Sequence, residues 1–266
     1  MPRIAVVGHV EWVTFLRAAR VPRPGDVVGA RELPARAAGG GAVAAAVLAE
    51  LGAEVDLFCA LGDDEQARDA SAQLNARGVA VHAARRRSPT RRALAILDEL
   101  GERTIVTLGA RLAPRGEDDL AWERLTGADG AYLTAGDAAA CLRARAAGVL
   151  VATPRVREGV TAEGPALDAL VFSGADEAEA RWARRLRGIT RLMVETQGAD
   201  GGRWWGESSG RWRACVPPRR PHDSYGCGDA FAAAFTYGLA TGCSVPDAAS
   251  LGAQWGAKML ERIGAP

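Results

Sequence analysis

The chain has 266 residues, 48% of them hydrophobic and 24% charged, which suits one sizeable domain with its own core. Its formal net charge of +1 gives no field for nucleic acid or a membrane surface, and no run approaches the roughly 18 apolar residues of a membrane span. The opening apolar run is too short for a secretory signal, so a cytoplasmic protein is expected.

Residues 3–7 predict a short strand ending at Gly8. Residues 21–28 follow, with prolines and a glycine too close together for a long helix. An alanine-rich helix is expected over 42–51, closed by Gly52. Next come a strand at 55–59, an amphipathic helix at 65–77 ended by Gly78, and a strand at 79–83. Residues 93–97 and 104–108 read as a hairpin turning at 98–102. Beyond it strands at 131–134, 149–152, 169–172 and 191–195 alternate with helices at 137–147 and 176–186. A second hairpin pairs 202–205 with 212–216, and two long helices finish the chain.

That alternation implies a mostly parallel sheet with helices on both faces. The 21–28 stretch and the 93–108 hairpin break the rhythm. They are expected to form a small β lid, from segments of about 11–38 and 85–111 inserted in a single domain spanning 1–266. Trp122, Trp182 and Trp255 sit at helical spacing among alanines and leucines, as core residues do.

The five cysteines are scattered without CxxC spacing, so neither a disulfide framework nor a zinc site is expected. His9, His82 and His222 lack metal-ligand spacing and read as structural or incidental. Lys258 is the only lysine, and it lies in a C-terminal helical pattern. Walker-type NTPases and protein kinases both place a lysine on the nucleotide phosphates, so neither class fits.

Residues 223–231 read Asp-Ser-Tyr-Gly-Cys-Gly-Asp-Ala-Phe and run into an apolar helical pattern over 230–240. A Gly-X-Gly turn opening a helix leaves N–H groups without intrahelical partners, and the helix dipole adds to their pull on an anion. Asp229 falls in the first turn, where that dipole favours an ionised carboxylate. An anion cradle beside a base is what phosphoryl transfer to a hydroxyl requires.

The segment resembles the second signature of the ribokinase (PfkB-type) carbohydrate kinase family, Asp-Thr-X-Gly-Ala-Gly-Asp-X-Phe, with Ser224 for threonine and Cys227 for alanine. The resemblance implies that Asp229 is the catalytic base and that the N–H groups of Gly226, Cys227 and Gly228 hold the transferring phosphate. It extends over nearly the whole chain. Gly39, Gly40 and Gly41, with Leu51-Gly52 downstream, resemble the first signature, where the lid meets the main domain and the acceptor is gripped. Here the family's asparagine becomes Val43 and its aspartate becomes Val13, with Glu11 two residues earlier as a candidate acceptor contact. Asp176-Glu-Ala-Glu179 resembles the family's Asn-Glu-X-Glu, implying a Mg²⁺ role for Glu179, through water, beside Asp176. Thr196, Gly198 and Gly201 match a Thr-X-Gly-X-X-Gly nucleotide loop, and Asp223 joins them as a nucleotide-side residue.

The implied fold is a ribokinase-like three-layer α/β sandwich with a small β lid. The implied activity is ATP- and Mg²⁺-dependent phosphorylation of a hydroxyl on a carbohydrate or nucleoside, with a homodimer through the lid. A protein of the same fold that binds nucleotide but has lost catalysis is the alternative that Val13 and Val43 favour.

Three other patterns occur in the chain. Gly39, Gly41 and Ala44 also fit a dinucleotide fingerprint, but residues 31–38 contain Pro34 and no apolar run, so no strand is expected before them. Gly206-Glu-Ser-Ser-Gly210 fits a nucleophile elbow around Ser208, yet its flanks read as a hairpin turn. The arginines at 85–87 and 91–92 read as exposed surface. Arg91 or Arg92, with Arg92 taken as the candidate, could still meet a phosphate or carboxylate of the acceptor.

Overall fold

The computed structural model describes residues 1–99, 103–217, 223–262 and 264–266. The turn expected at 98–102 lies partly outside the described residues, and His222 lies wholly outside them.

Nine strands form the central sheet, in the order β13-β12-β11-β10-β9-β8-β1-β4-β5. Its middle is β1 (Arg3–Val7), flanked by β4 (Glu54–Leu61) and β8 (Gly130–Leu133), both parallel to it. On one side β5 (Val79–Arg85) completes the sheet. On the other, β9 (Val149–Ala152), β10 (Leu167–Ser173) and β11 (Thr190–Thr196) continue in parallel. An antiparallel hairpin of β12 (Gly202–Gly206) and β13 (Gly210–Trp212) ends it. That second strand lies earlier than the expected 212–216, because Gly210 already pairs with Trp204 while Val216 is exposed.

Side chains alternate across each strand, so both faces of the parallel region are apolar. Ile4, Val6, Val55 and Leu57 pack on one face with α1 (Gly40–Glu50), α2 (Glu65–Asn75), α5 (Cys227–Ala240) and α6 (Val245–Leu260). Ala5, Val7, Phe58 and Leu133 pack on the other with α3 (Ala138–Ala144) and α4 (Glu177–Arg185). The result is three layers. Trp122 is buried against Phe58, their rings stacked at 4.9 Å.

Within the 11–38 segment expected to join the lid, two strands not individually assigned from sequence occur, β2 (Glu11–Ala18) and β3 (Ala30–Ala38). With β6 (Arg92–Leu97) and β7 (Arg103–Leu108) they build a second sheet in the order β3-β2-β6-β7. Along β2 every second residue, Glu11, Val13 and Phe15, is buried. Pro34 is tolerated because β3 is an edge strand. A strand therefore does precede Gly39, contrary to the sequence-based expectation. It belongs to the second sheet rather than to a βαβ unit of the parallel one, so the dinucleotide reading still lacks its required setting.

Candidate active site

All seven parallel strands share a direction, so the loops that leave β1, β8, β9, β10 and β11 emerge along one edge. Ligands in such sheets bind outside the carboxyl ends of the strands. Gly8, Thr134, Thr153, Gly174 and Thr196 sit at that edge.

The start of α5 meets them there. Gly226 is its N-cap, at φ 76°, a left-handed conformation that glycine adopts without strain. Ala230 N–H donates to Gly226 O at 2.8 Å, the first bond of the helix. The N–H groups ahead of it have no acceptor within the helix. A side chain at Gly228 would meet nothing within 4 Å, so the turn opens onto free space. The Cys227 thiol stays protonated, its pKa pushed up to about 12, chiefly by burial.

Asp229 is 9% exposed and fixed on three sides. Tyr132 Oη donates to its Oδ1 at 3.3 Å, and Arg155 Nε lies 3.6 Å from the same oxygen. A Cβ at Gly40 would stand 2.9 Å from that oxygen and 2.8 Å from Thr134 Oγ1, so only glycine lets α1 begin this close to the carboxylate. The charge of Asp229 is the largest influence raising the Arg155 pKa.

The glycines at 39–41 give close approach but no free donors. Gly39 N–H donates to Tyr225 Oη at 3.2 Å, Gly40 N–H to His9 Nε2 at 3.3 Å and Gly41 N–H to His9 O at 3.1 Å. Their N–H groups are thus committed within the protein, so what these glycines offer is the close backbone approach expected of them and not hydrogen-bond donors. His9, read as incidental from sequence, lines the site instead. Since Nε2 accepts, a neutral ring carries its proton on Nδ1, which is buried without a hydrogen-bond partner among the described residues. Burial first, then Arg111, Arg155 and Arg91, hold its pKa well below the usual 6.5, so the ring is neutral.

Glu11 is buried, with Arg91 Nη1 3.1 Å from its Oε1. Arg92, the sequence candidate, is exposed one position on, so Arg91 is the arginine turned toward the site. Val13 and Val43 are fully buried together with Phe15, Ala38 and Tyr225, in an apolar cluster joining the second sheet to the central domain.

The other candidates divide. Both oxygens of Asp223 are committed, to Tyr225 N–H and Gly264 N–H, each at 2.8 Å. Asp223 therefore braces the turn rather than facing a nucleotide. Asp176 caps α4, accepting from Ala178 and Glu179 N–H groups. Glu179 accepts from Ser173 N–H through Oε2 at 3.0 Å, which leaves Oε1 uncommitted. No group of three or more potential metal ligands occurs among the described residues. Both Asp176 bonds use Oδ1, so Asp176 and Glu179 each keep one oxygen without a hydrogen bond among the described residues, and a largely hydrated Mg²⁺ needs only one or two carboxylates.

Thr196 Oγ1 donates to Phe172 O at 3.3 Å, and Gly198 and Gly201 turn the chain back with positive φ. A Cβ at Gly201 would strike Trp212 O at 2.2 Å, whereas one at Gly198 would meet nothing. Only the Gly198 side of this loop is open. Ser208 lies in the β12–β13 hairpin turn with no helix after it, and its Oγ accepts from Trp204 Nε1.

Comparison with known proteins identifies the family and the fold. The model of the pfkB family carbohydrate kinases matches residues 1–142 and 128–266, and the chain belongs to that family. It is accordingly a phosphotransferase of the sugar-kinase type. No curated protein matches at a significant level. The ribokinase of Thermotoga maritima is similar in fold, with TM-score 0.80 and 21% identity over 100% of this chain and 95% of its own. The ribokinase of Arabidopsis thaliana, solved with ribose and ATP, gives 0.75 and 18% over 99% and 94%. The adenosine kinase of Sinorhizobium meliloti gives 0.79 and 20% over 99% and 95%.

Proposed function

We propose that the protein transfers the γ-phosphoryl group of ATP to a hydroxyl of a small carbohydrate or nucleoside. The observation that carries this reading is the position of Asp229, in the first turn of α5 beside the open face at Gly228. The acceptor hydroxyl would lie between the second sheet, acting as lid, and the carboxyl edge of the central sheet. As its oxygen bonds to the γ-phosphorus, its proton passes to Asp229, the bond to the bridging oxygen breaks, and ADP leaves. The N–H groups of Gly226, Cys227 and Gly228 would stabilise the charge that develops on the phosphoryl oxygens. Mg²⁺, held through water by Glu179, would neutralise part of the phosphate charge. The nucleotide would lie along the open side of the loop from Thr196 to Gly201.

Tyr132 and Arg155 hold the Asp229 carboxylate in place through its Oδ1. Asp229→Asn should lower kcat by about 10²- to 10⁴-fold with the circular dichroism spectrum unchanged. Wild-type turnover in that variant would remove the assignment. The burial of Val13 and Val43 supports a second reading, a nucleotide-binding protein that has lost catalysis. ATP binding by calorimetry, without ADP release over a broad acceptor panel, would select it. The outer strand β7 exposes Ile105, Val106 and Leu108, a surface suited to pairing two copies through their lids. A monomer by light scattering would exclude that dimer.

A further inference from the structure

Three arginines from separate loops converge beside Asp229. Arg155 follows β9, and its side chain is 47% exposed, with Nε toward the Asp229 carboxylate. Arg111 follows β7 and donates to Arg155 O at 2.7 Å. Arg91 precedes β6 and meets Glu11, while its Nε is buried without a hydrogen-bond partner among the described residues. His9 is neutral, so the local charges are the three guanidiniums and the carboxylates that act on them, Glu11, Asp229, Glu158 and Glu179.

The guanidiniums still act on one another as like charges. Burial, more than any neighbour, raises the Glu11 pKa and weakens its charge as a counterweight. Burial also leads in lowering the Arg111 pKa. Glu158 opposes it, and the like charges of Arg91 and Arg155 add to it. Like charges gathered on a partly buried surface repel one another, and an anion seated among them relieves the repulsion. Arginine forks match the paired oxygens of a phosphate or carboxylate. The positions also point toward the acceptor. Arg91, Glu11 and Arg111 all lie in segments bordering the second sheet, and Val13 and Val43 offer a sugar no hydroxyl partner there.

We infer that the acceptor of this kinase carries an oxyanion, a phosphate ester or a carboxylate, seated by Arg91, Arg111 and Arg155 beside Asp229. The inference rests on the kinase reading for the word acceptor, but the seat itself can be tested separately. Wild-type protein with ATP and Mg²⁺ is assayed for ADP release with ribose 5-phosphate, fructose 6-phosphate and gluconate, against ribose, fructose and adenosine. Each compound is also titrated by calorimetry without ATP. At least one anionic compound should exceed its neutral counterpart about 100-fold in kcat/KM. Arg111→Gln, or Arg155→Gln should the first variant fold poorly, should raise that compound's KM about 10- to 100-fold and leave the KM for ATP within about twofold.

Equal or better turnover of a neutral sugar overturns the inference and leaves the kinase reading standing. A raised KM for ATP with the acceptor KM unchanged also overturns it, assigning the arginines to the nucleotide. If nothing is turned over, the calorimetry decides. Binding of an anionic compound that Arg111→Gln weakens, with its neutral counterpart silent, upholds the seat and counts against the kinase reading. Absence of heat from every anionic compound removes the seat.

Discussion

The segment from Gly39 to Val43 has two sides with opposite chemistry. At Gly40 the backbone faces the Asp229 carboxylate, the Thr134 hydroxyl and the His9 ring. At Val43 the same helix turns methyl groups toward Gly226, within an apolar cluster with Val13, Phe15 and Tyr225. One side hems in a charged group where a Cβ does not fit, and the other seals the joint between the two sheets where a polar group would find no partner. If Asp229 acts as proposed, selection of the acceptor would rest less on hydroxyl-binding side chains than on charge and on the volume left beside that carboxylate.

The sharpest way to break the comparison is to add one carbon on the polar side. Gly40→Ala keeps helical backbone angles available but places Cβ 2.9 Å from Asp229 Oδ1 and 2.8 Å from Thr134 Oγ1. One of these groups must move, and a displacement near 1 Å at a reacting group costs on the order of 100-fold in rate. The kcat should fall by about that factor with the far-ultraviolet spectrum retained. Unchanged kcat would show that Asp229 has room the geometry denies it.

On the apolar side the matching change is Val43→Asn, which restores the residue type at that position in the family signature. The site is fully buried among hydrocarbon, and an amide without partners costs about 1–3 kcal/mol. For a chain of this size that is a fall in Tm of about 3–10 °C. No gain of activity on neutral sugars is expected, because the surrounding residues Val13, Phe15 and Ala38 remain apolar. A stable variant that phosphorylates ribose would mean that the cluster opens to form a polar acceptor site.

These two sides were unequally legible in the sequence. The turn at 226–228 and the carboxylate in the first turn of α5 were plain in the 223–231 segment, because glycine spacing, an aspartate and an apolar helical pattern adjoin there. The parallel strands were equally plain, being short apolar runs between turn signals. Strands β2 and β3 were not, because β3 carries Pro34 and β2 is followed by the Pro-rich stretch rather than a tight turn. The roles of the arginines at 91, 111 and 155 depend on which loops meet in space. In a chain with 33 basic residues of which Lys258 is the only lysine, an arginine after a strand carries no local mark. His9 was missed for a different reason. The histidines were judged by metal-ligand spacing, whereas this one serves as an acceptor for a backbone N–H across the turn. Its place directly after Gly8, at the end of the first strand, was the available signal.

That ring supplies the smallest of the predicted effects and a check on the polar side as a whole. In the folded protein the His9 pKa is depressed below its ordinary 6.5, so the unfolded chain takes up a proton that the native state refuses. Stability from this group is therefore present above about pH 6.5 and is lost as the pH falls. Between about pH 7.5 and about pH 5.5 the loss is about 1 kcal/mol, or about 2–4 °C in Tm. Glu11 acts with the opposite sign. Its folded pKa is raised above the ordinary 4.5, so its contribution is present at low pH and lost as pH rises through the folded value. His9→Gln retains an acceptor for the Gly40 N–H and cannot titrate, so its Tm should fall less over the same interval by that 2–4 °C, while the Glu11 contribution remains common to both proteins. Equal slopes for the two proteins would mean that the ring takes up its proton in place. The buried Nδ1 would then lie beside an acceptor, and the ring would add a positive charge to those of Arg91, Arg111 and Arg155.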